Sequence, residues 1–310
     1  MSSIAKPLVV GSEMRRPRRR IYWLPYLLAI PILIYEGIFI LYPIFDGIRG
    51  SFYQQRNLGA PANWVGLDNY RRLLRDDFFW NSVSKTLIFM AGVIVLSIGF
   101  GLFSAVVLNR AFFGRSVARG IVTMPWAFPE VPAVLIFIWI LNPQFGVSNV
   151  FANWLPWIGE NPKWLLDPDL AMASVVLITA WKGFPFYSLV ILAALQTVPH
   201  ELGEAARVDG ATRRQVFFAV TLPCIMPTML LLVVLASIYA FKQFTIIWLL
   251  TGGGPAGATD TVVIRIYQTA FRFYDFNYAS TVGVAGFLMV FSIAMLFLII
   301  QRRQELEAMR

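Results

Sequence analysis

The sequence predicts an all-α integral membrane protein with six transmembrane helices and both termini in the cytoplasm. Three observations support this fold class: the chain is 58% hydrophobic, only 14% of its residues are charged, and its apolar residues gather in long blocks. A soluble domain typically has about 45–50% apolar and about 25% charged residues. A helix that crosses a bilayer instead needs about 20 predominantly apolar residues.

The position of these blocks predicts the domain organisation. We expect a basic cytoplasmic tail over 1–20, a six-span domain over 21–301 and a short cytoplasmic tail over 302–310. The first block is too long for a cleavable signal peptide and no small-residue cleavage site follows it, so it is predicted to stay as a signal anchor. The six predicted spans are 21–43, 84–108, 117–141, 170–196, 225–250 and 281–300.

The third predicted span is the least regular, because it contains Pro125, Pro129 and Pro132. Each proline removes a backbone donor and disrupts the helical hydrogen bonds. Backbone that is not helical survives at membrane depth only where protein or a watery cavity surrounds it. We therefore expect this span to lie inside the bundle, against a partner or a pathway.

The distribution of lysine and arginine predicts the orientation of the spans. Six basic residues precede the first span, and each of the three other inner segments carries three. The outer segments carry five, one and two. Basic residues favour the cytoplasmic side, so fifteen inside against eight outside places both termini in the cytoplasm. Topology therefore accounts for the net charge of +9 without nucleic-acid binding.

Two residue types limit the chemistry of the chain, since Cys224 is its only cysteine and His200 its only histidine. A single cysteine cannot form an internal disulfide. A single histidine provides no cluster of metal ligands. We expect neither a disulfide nor a metal site.

Two of the outer connections have distinctive sequences. Residues 46–83 contain the segment from Trp64 to Tyr70 and are expected to form a short ordered loop with an interfacial helix. Residues 251–260 are rich in glycine and end the fifth span abruptly. A glycine-rich loop can cradle phosphate, but this one lacks the Lys-Ser/Thr pair of a nucleotide-binding loop. We therefore expect an external turn that faces a partner.

The inner segment at about 199–224 predicts a helical hairpin. Glu201 and Glu204 lie in the first turns of its first helix, where the helix dipole favours negative charge. Gly210 permits a reversal through positive φ, and Thr212 can cap the second helix. Such an amphipathic hairpin either docks into a groove on a soluble protein or lies on the lipid headgroups. Periodicity does not separate these two alternatives, whereas the specific order of residues favours docking.

That order of residues resembles the cytoplasmic signature loop of permeases in binding-protein-dependent ABC importers. The loop residues that carry the resemblance are Glu204-Ala205-Ala206, Asp209-Gly210-Ala211 and Leu222-Pro223, with Pro227 beyond. Other motifs are similar to the carbohydrate branch, which includes maltose-type and glycerol-phosphate-type permeases. These motifs are Gly66-Leu67-Asp68-Asn69-Tyr70, Trp181-Lys182-Gly183-Phe184-Pro185 and Leu250-Thr251-Gly252-Gly253-Gly254-Pro255. Each motif is weak alone, but their order is specific and covers nearly the whole chain after residue 20.

The resemblance implies a subunit that moves a sugar or sugar-like solute across a bacterial cytoplasmic (inner) membrane by alternating access. It implies that the loop inserts into a cleft of an ATPase, with Glu204 near a basic residue there. The coupling residues would be Glu201, Glu204, Ala205, Ala206, Asp209, Gly210, Ala211, Leu222 and Pro223. The implied partners are a second homologous permease, two ATPase subunits, an external solute-binding protein and membrane lipid.

A nucleotide site is absent from the sequence, which contains no Gly-x-x-x-x-Gly-Lys-Ser/Thr motif. We therefore expect ATP and Mg on separate ATPase subunits, no cofactor on this chain, and no catalytic centre. The chain would be a transport subunit and not an enzyme.

The resemblance also implies a solute pathway on three spans. Its residues would be Trp126, Glu130, Thr179, Lys182, Gly183, Ala240 and Gln243. We expect Trp126 to stack on a sugar ring, and Glu130 and Gln243 to hydrogen-bond its hydroxyl groups. Ala240 departs from the family pattern, because it offers no polar side chain where a sugar-binding amide is expected.

Ionisable residues inside spans cost about 2.5–3.5 kcal/mol at a helix centre and usually face a cavity or a partner. Lys182 either contacts an acidic group on an anionic solute or pairs with Glu130. The internal pair is favoured, because an unpaired buried charge is unfavourable before solute arrives. Lys242 could be compensated by the partner permease, and Glu36 has no assigned role.

Three other classes of protein compete with this interpretation. A secondary transporter driven by an ion gradient would show inverted repeats with interrupted helices in both halves, but the proline-rich span has no mate. A membrane-embedded assembly factor needs neither intramembrane charges nor a docking loop. An ABC permease for peptides, amino acids or anions is the nearest alternative, and only the carbohydrate-like motifs argue against it.

Overall fold

The computed structural model describes residues 23–55, 61–154 and 161–308. The chain divides into two compact units, Met1–Asp46 and Gly47–Arg310. Helices dominate the described part of both units.

The first unit contains a long apolar helix. α1 (Leu24–Glu36) continues through a π-helical turn (Gly37–Leu41) into α2 (Tyr42–Gly50), whose last residues belong to the second unit. The stretch Tyr26–Gly50 is long and apolar enough to cross a membrane. Its large apolar side chains are exposed, which suits surroundings of lipid or partner helices. The basic tail predicted before it lies outside the described residues.

The second unit begins with a small sheet and a short helix. β1 (Tyr53–Gln54) and β2 (Asn63–Trp64) pair antiparallel, and α3 (Asp68–Leu74) follows. The buried amide of Asn69 donates to two backbone carbonyls beside β1, at 2.9 and 2.8 Å. The short helix that the sequence predicts within 46–83 is confirmed, and residues 56–60 of that segment lie outside the described residues.

Long helices form most of the rest of the second unit. In chain order they and the shorter helices are α4 (Asp77–Asn109), α5 (Arg115–Ala127), α6 (Glu130–Ile140), α7 (Ser148–Ala152), α8 (Pro168–Thr197), α9 (His200–Val208), α10 (Arg213–Val216), α11 (Leu222–Phe241), α12 (Thr245–Leu250), α13 (Val262–Tyr267) and α14 (Phe276–Ala308). π-Helical turns at Phe217–Thr221 and Gln268–Arg272 join α10 to α11 and extend α13. Across the described ranges, five helices could cross a membrane, and the bent pair of α5 and α6 would make a sixth span.

α4 and α8 form the central helix pair of the second unit. Glycines on α4 allow the two backbones to approach closely, since an added Cβ at Gly92 would lie 2.8 Å from Val176 Cγ1, and one at Gly101 2.9 Å from Tyr187 Cβ. Small residues at such contacts are what membrane helices use to pack. Fully buried side chains around this pair include Phe89, Val93, Leu108, Val175, Ile191 and Leu232.

The third predicted span is interrupted, as its prolines predict. α5 and α6 meet at 93° around Phe128 and Pro129. Pro129 precedes α6, whereas Pro125 stays inside α5. Pro132 lies in the first turn of α6, where a backbone N–H would have no helical partner. One proline therefore marks the break, and the other two are accommodated within helices.

The fifth predicted span, 225–250, is wrong as one helix. α11 ends at Phe241, a turn follows, and α12 begins at Thr245. The apolar sequence continues through both helices, so hydropathy does not register the turn. A pair of polar residues does mark the turn: Lys242 is exposed there and Gln243 is buried.

Candidate functional site

A cavity of ≈ 380 Å³ opens beside the break between α5 and α6, and we call it the α5–α6 cavity. It is lined by residues of α5, α6, α8 and α11, namely Trp126, Glu130, Lys182, Gly183, Phe186, Tyr187, Leu235 and Tyr239. Small-molecule sites occupy about 300–1,000 Å³ and combine apolar or aromatic walls with a few polar groups. The α5–α6 cavity has both the size and the composition of such a site.

Lys182 stabilises the broken end of α5. The side chain is buried, with 9% of its surface exposed. Its Nζ donates to three backbone carbonyls, those of Pro125 (3.2 Å), Trp126 (3.1 Å) and Phe128 (2.7 Å). Carbonyls at a helix C-terminus have no helical partners and carry partial negative charge. The ammonium group therefore caps the helix that the break leaves open.

The sequence analysis predicts either an acidic group on the solute or Glu130 as the partner of Lys182, and these contacts involve neither. An ammonium group has three N–H donors, and the three carbonyls of the α5 end can take all of them. Among the described residues, no ion pair joins Lys182 to Glu130. The favoured internal pair is thus not formed as a direct contact, because the interrupted helix supplies closer acceptors.

A hydrogen bond connects the two interrupted spans at their interruptions. Gln243 Nε2, in the turn after α11, donates to Glu130 Oε1 at 2.9 Å. Glu130 is the first residue of α6, where the helix dipole favours its carboxylate. Gln243 is buried, with 6% of its surface exposed. The bond therefore fixes the rim of the α5–α6 cavity to the end of α11.

Two of the residues expected on the pathway lie in the core. Thr179 is fully buried, and its hydroxyl donates to the carbonyl of Val175 at 2.8 Å. Ala240 is 1% exposed and belongs to a cluster of buried apolar side chains. The cavity thus brings together four of the predicted residues, Trp126, Glu130, Lys182 and Gly183, and reaches Gln243 through Glu130.

The sequence interpretation misses four residues of the cavity wall. None of the four is among the predicted pathway residues, yet Phe186, Tyr187, Leu235 and Tyr239 all line the cavity. Helical spacing could have found them, because residues three and four apart share a helix face. Phe186 lies four residues after Lys182, and Tyr239 four after Leu235.

The predicted hairpin is present as α9, a turn and α10, and we call it the α9–α10 hairpin (residues 200–216). Gly210 has φ +87° in the turn. Thr212 and Gln215 form a capping box, in which the Thr212 N–H donates to Gln215 Oε1 at 2.8 Å and the Gln215 N–H to Thr212 Oγ1 at 3.4 Å. Val216 is buried, and a Cβ added at Gly203 would lie 3.6 Å from it. Local chemistry thus shapes the hairpin as the sequence predicts.

The signature residues of the hairpin region are mostly exposed. Glu201, Glu204, Ala205, Asp209, Gly210 and Pro223 are exposed, and Ala206, Ala211 and Leu222 are half-buried. In the part of the chain that the structure describes, no ion pair involves the hairpin. Val208 is 87% exposed although it is apolar. The charged side chains of the hairpin are therefore available to a partner.

The glycine-rich connection 251–260 is more than the external turn that the sequence predicts. Its last residues are buried, including Asp260 at 6% exposure. Asp260 Oδ2 accepts from Ser82 Oγ at 3.2 Å and lies 4.0 Å from Arg265 Nη1. Burial raises the pKa of Asp260 to about 6, although Arg265 and Ser82 act in the opposite direction. Four of the ten residues of this connection are therefore part of the core.

Comparison with known proteins identifies a family and several relatives of this chain. Residues 97–306 match the family model described as "Binding-protein-dependent transport system inner membrane component". The sulfoquinovosyl glycerol transport system permease protein of Agrobacterium fabrum is 34% identical over 287 residues, covering 91% of each chain. The trehalose/maltose transport system permease protein of Thermococcus litoralis is 34% identical over 283 residues, covering 90% of this chain and 94% of that one.

The fold is similar to a chain in the crystal structure of a bacterial alginate ABC transporter in complex with an alginate pentasaccharide-bound periplasmic protein. The TM-score is 0.78 at 25% identity, and the match covers 91% of this chain and 94% of that one. The family match includes both the α5–α6 cavity and the α9–α10 hairpin.

Proposed function

Because the chain belongs to the family of binding-protein-dependent transport system inner membrane components, we propose that it is the permease subunit of an ATP-driven importer for a sugar or sugar-like solute. It is a multi-pass inner-membrane protein. The relatives are named for sulfoquinovosyl glycerol and for trehalose/maltose, and the structural neighbour for alginate. All of these solutes are carbohydrates or glycosides.

One observation carries the proposal: the hydrogen bond from Gln243 to Glu130 joins two interrupted spans beside an aromatic-lined cavity. Interrupted helices at membrane depth suit a solute site, because non-helical backbone is tolerated beside a cavity. Trp126 is 54% exposed and offers its ring face for stacking on a sugar. The hydroxyl groups of Tyr187 and Tyr239 hydrogen-bond to no described residue and can meet solute hydroxyls.

Lys182 has a structural role in this proposal. Its donors are engaged by the carbonyls at the end of α5, so it holds the cavity wall and leaves solute recognition to its neighbours. An acidic group on a solute would have to compete with three existing hydrogen bonds. The geometry therefore favours recognition of hydroxyl groups by Glu130 and the tyrosines.

The α9–α10 hairpin is the element that we propose to couple the cavity to ATP. Docking into a cleft of an ATPase subunit would use the exposed Glu204 and the turn at Gly210, with ATP and Mg held by that subunit. Arg213–Phe241 forms one helical stretch from the hairpin to the turn that holds Gln243. Because that stretch can move as a unit, a shift of the hairpin reaches the cavity rim and switches access from one side of the membrane to the other.

The assembly that this mechanism needs contains a second homologous permease, two ATPase subunits and an external solute-binding protein. The alginate transporter structure contains such a periplasmic protein. For this chain, the exposed apolar faces of its long helices offer contact area to lipid and to a second permease.

Uptake by the reconstituted assembly in liposomes tests the proposal. We expect uptake of a member of a panel of disaccharides and glycosides, with an absolute need for ATP and for the binding protein. Amino acids and peptides serve as the comparison panel. Uptake driven by an ion gradient without ATP would refute the importer class, and transport of amino acids alone would refute the sugar class.

A further inference from the structure

A second concave site lies between the α9–α10 hairpin and the ends of the long helices. It is a groove of ≈ 500 Å³, which we call the arginine groove. Four arginines from three segments line it, namely Arg110, Arg207, Arg213 and Arg214. None of the described residues that line the groove is acidic.

The guanidinium groups of the groove have no counter-charge within the described ranges. None of the four forms a hydrogen bond or ion pair through its side chain there. Arg214 makes one side-chain contact, with its guanidinium 5.9 Å from the ring centre of Phe218. Like charges gathered in a groove repel one another, and an anion that binds there removes this cost. Arginine is suited to phosphate, because its planar fork donates two parallel hydrogen bonds.

The groove lies where the membrane helices end. α4 ends at Asn109, directly before Arg110, and α8 ends at Thr197, close to the groove residue Leu195. The helical stretch Arg213–Phe241 begins at the groove residue Arg213. Ends of apolar helices mark the level at which acyl chains give way to headgroups. The groove is therefore at the depth of lipid phosphate.

The walls of the groove are amphipathic. Apolar side chains of Val106, Leu195 and Phe217 line it together with the arginines. A free phosphate ion would use the arginines only, whereas a phospholipid would use the arginines for its headgroup and the apolar wall for the start of its acyl chains. Basic pockets between membrane helices are known to take anionic headgroups.

We propose that the arginine groove binds the phosphate of an anionic phospholipid and thereby fixes the α9–α10 hairpin to the membrane surface. This goes beyond the proposed transport function, since a lipid there would bridge α4, which is outside the hairpin, to α9 and α10. The bound lipid sets the resting position of the hairpin. Anionic lipid content would then tune how readily the hairpin moves.

Native mass spectrometry of the full-length chain, with phosphatidylglycerol or phosphatidylcholine added, tests the proposal. The variant Arg110→Gln/Arg213→Gln removes half of the groove's charge. The matched control Arg71→Gln/Arg75→Gln removes the same charge from exposed positions of the α3 region. We expect the groove variant to bind phosphatidylglycerol about 10-fold more weakly than the parent chain, with phosphatidylcholine binding unchanged and the control variant like the parent.

A second variant and two competitors keep the proposal falsifiable. Arg110→Lys/Arg213→Lys keeps the charge and should restore most of the binding, which also excludes misfolding as the cause of the loss. Equal loss in the control variant would overturn the groove as the site. Displacement of the lipid by inorganic phosphate at equal affinity would assign the groove to a free anion and overturn the lipid. Unchanged lipid binding with loss of ATPase-subunit association would make it a protein-docking surface and overturn the proposal as well.

Discussion

The α5–α6 cavity and the α9–α10 hairpin differ in whether their charged side chains have partners among the described residues. In the cavity, Lys182 and Glu130 both have hydrogen-bond partners within the chain. In the hairpin, Glu204 and its charged neighbours are exposed and without ion pairs among the described residues. Buried charges need partners before the protein folds stably, because their desolvation is costly, whereas exposed charges remain solvated until a partner arrives. The cavity is thus preformed, whereas the charged side chains of the hairpin stay available to a partner.

Removing the buried cation should have the largest effect. In Lys182→Met the carbonyls at the end of α5 lose a charged donor, and bonds to charged groups contribute about 1.5–3 kcal/mol each. We expect a loss of about 2–4 kcal/mol of stability, with uptake abolished. Thermal unfolding of the purified chain in detergent measures the stability.

The control for this change is Lys242→Met, which removes an exposed lysine from the turn after α11. It should leave both stability and uptake close to those of the parent. If Lys182→Met also left both unchanged, the cavity would not depend on its internal cap and the contrast with the hairpin would fail.

Charge inversion in the hairpin should reduce transport without affecting the fold. We expect Glu204→Lys to lower ATP-dependent uptake about 10-fold, equivalent to about 1.4 kcal/mol, while the unfolding temperature stays the same because the side chain is exposed. The control Lys163→Glu inverts another exposed charge outside the hairpin. Comparable losses of uptake in both variants would show a general charge effect and remove the special role of the hairpin.

Two glycines allow a matched test of the turn. Gly210 has φ +87° in the hairpin, and Gly114 has φ +80° before α5; an added Cβ would have open space at both. Alanine at either position costs about 1 kcal/mol of backbone strain. We expect similar losses of stability for the two variants, but a several-fold loss of uptake for Gly210→Ala only. Equal uptake would mean that the shape of the hairpin turn does not matter for coupling.

Asp260 is a further buried ionisable group with a partner within the chain, in the connection 251–260, and changing it should have the smallest effect. Burial raises its pKa to about 6, above the ordinary value of 3.8. The folded state therefore holds this proton more tightly, so the contribution of Asp260 to stability is complete below pH 3.8 and is lost as pH rises through about 6.

Hydrogen exchange of residues 251–260 measures this contribution. Between pH 4 and about 6.5, protection in the parent should fall more steeply with rising pH than in Asp260→Asn. Identical pH dependence in the two proteins would show that burial does not control this carboxyl group.

The hairpin could be predicted from sequence because its determinants are local. Gly210 and the capping residue Thr212 act on their immediate neighbours. The structure shows Gly210 with positive φ and Thr212 as the cap of α10, as expected. The cavity could not be predicted in the same way, since its bonds join distant positions: Gln243 and Glu130 are 113 residues apart. Hydropathy identified the apolar segments, but it does not distinguish a continuous span from one that is broken and capped by a side chain of another helix.

In the proposed mechanism, movement of the hairpin changes access to the cavity. A cysteine at the cavity wall reports that access directly, in Leu235→Cys with the exposed Cys224 replaced by serine. The measurement is the rate at which a membrane-impermeant thiol reagent modifies this cysteine from each side of the reconstituted assembly, with and without ATP. We predict faster modification from the inside without ATP and from the outside with ATP, and no switch in the Glu204→Lys background. A switch that persists undiminished in that background would contradict the claim.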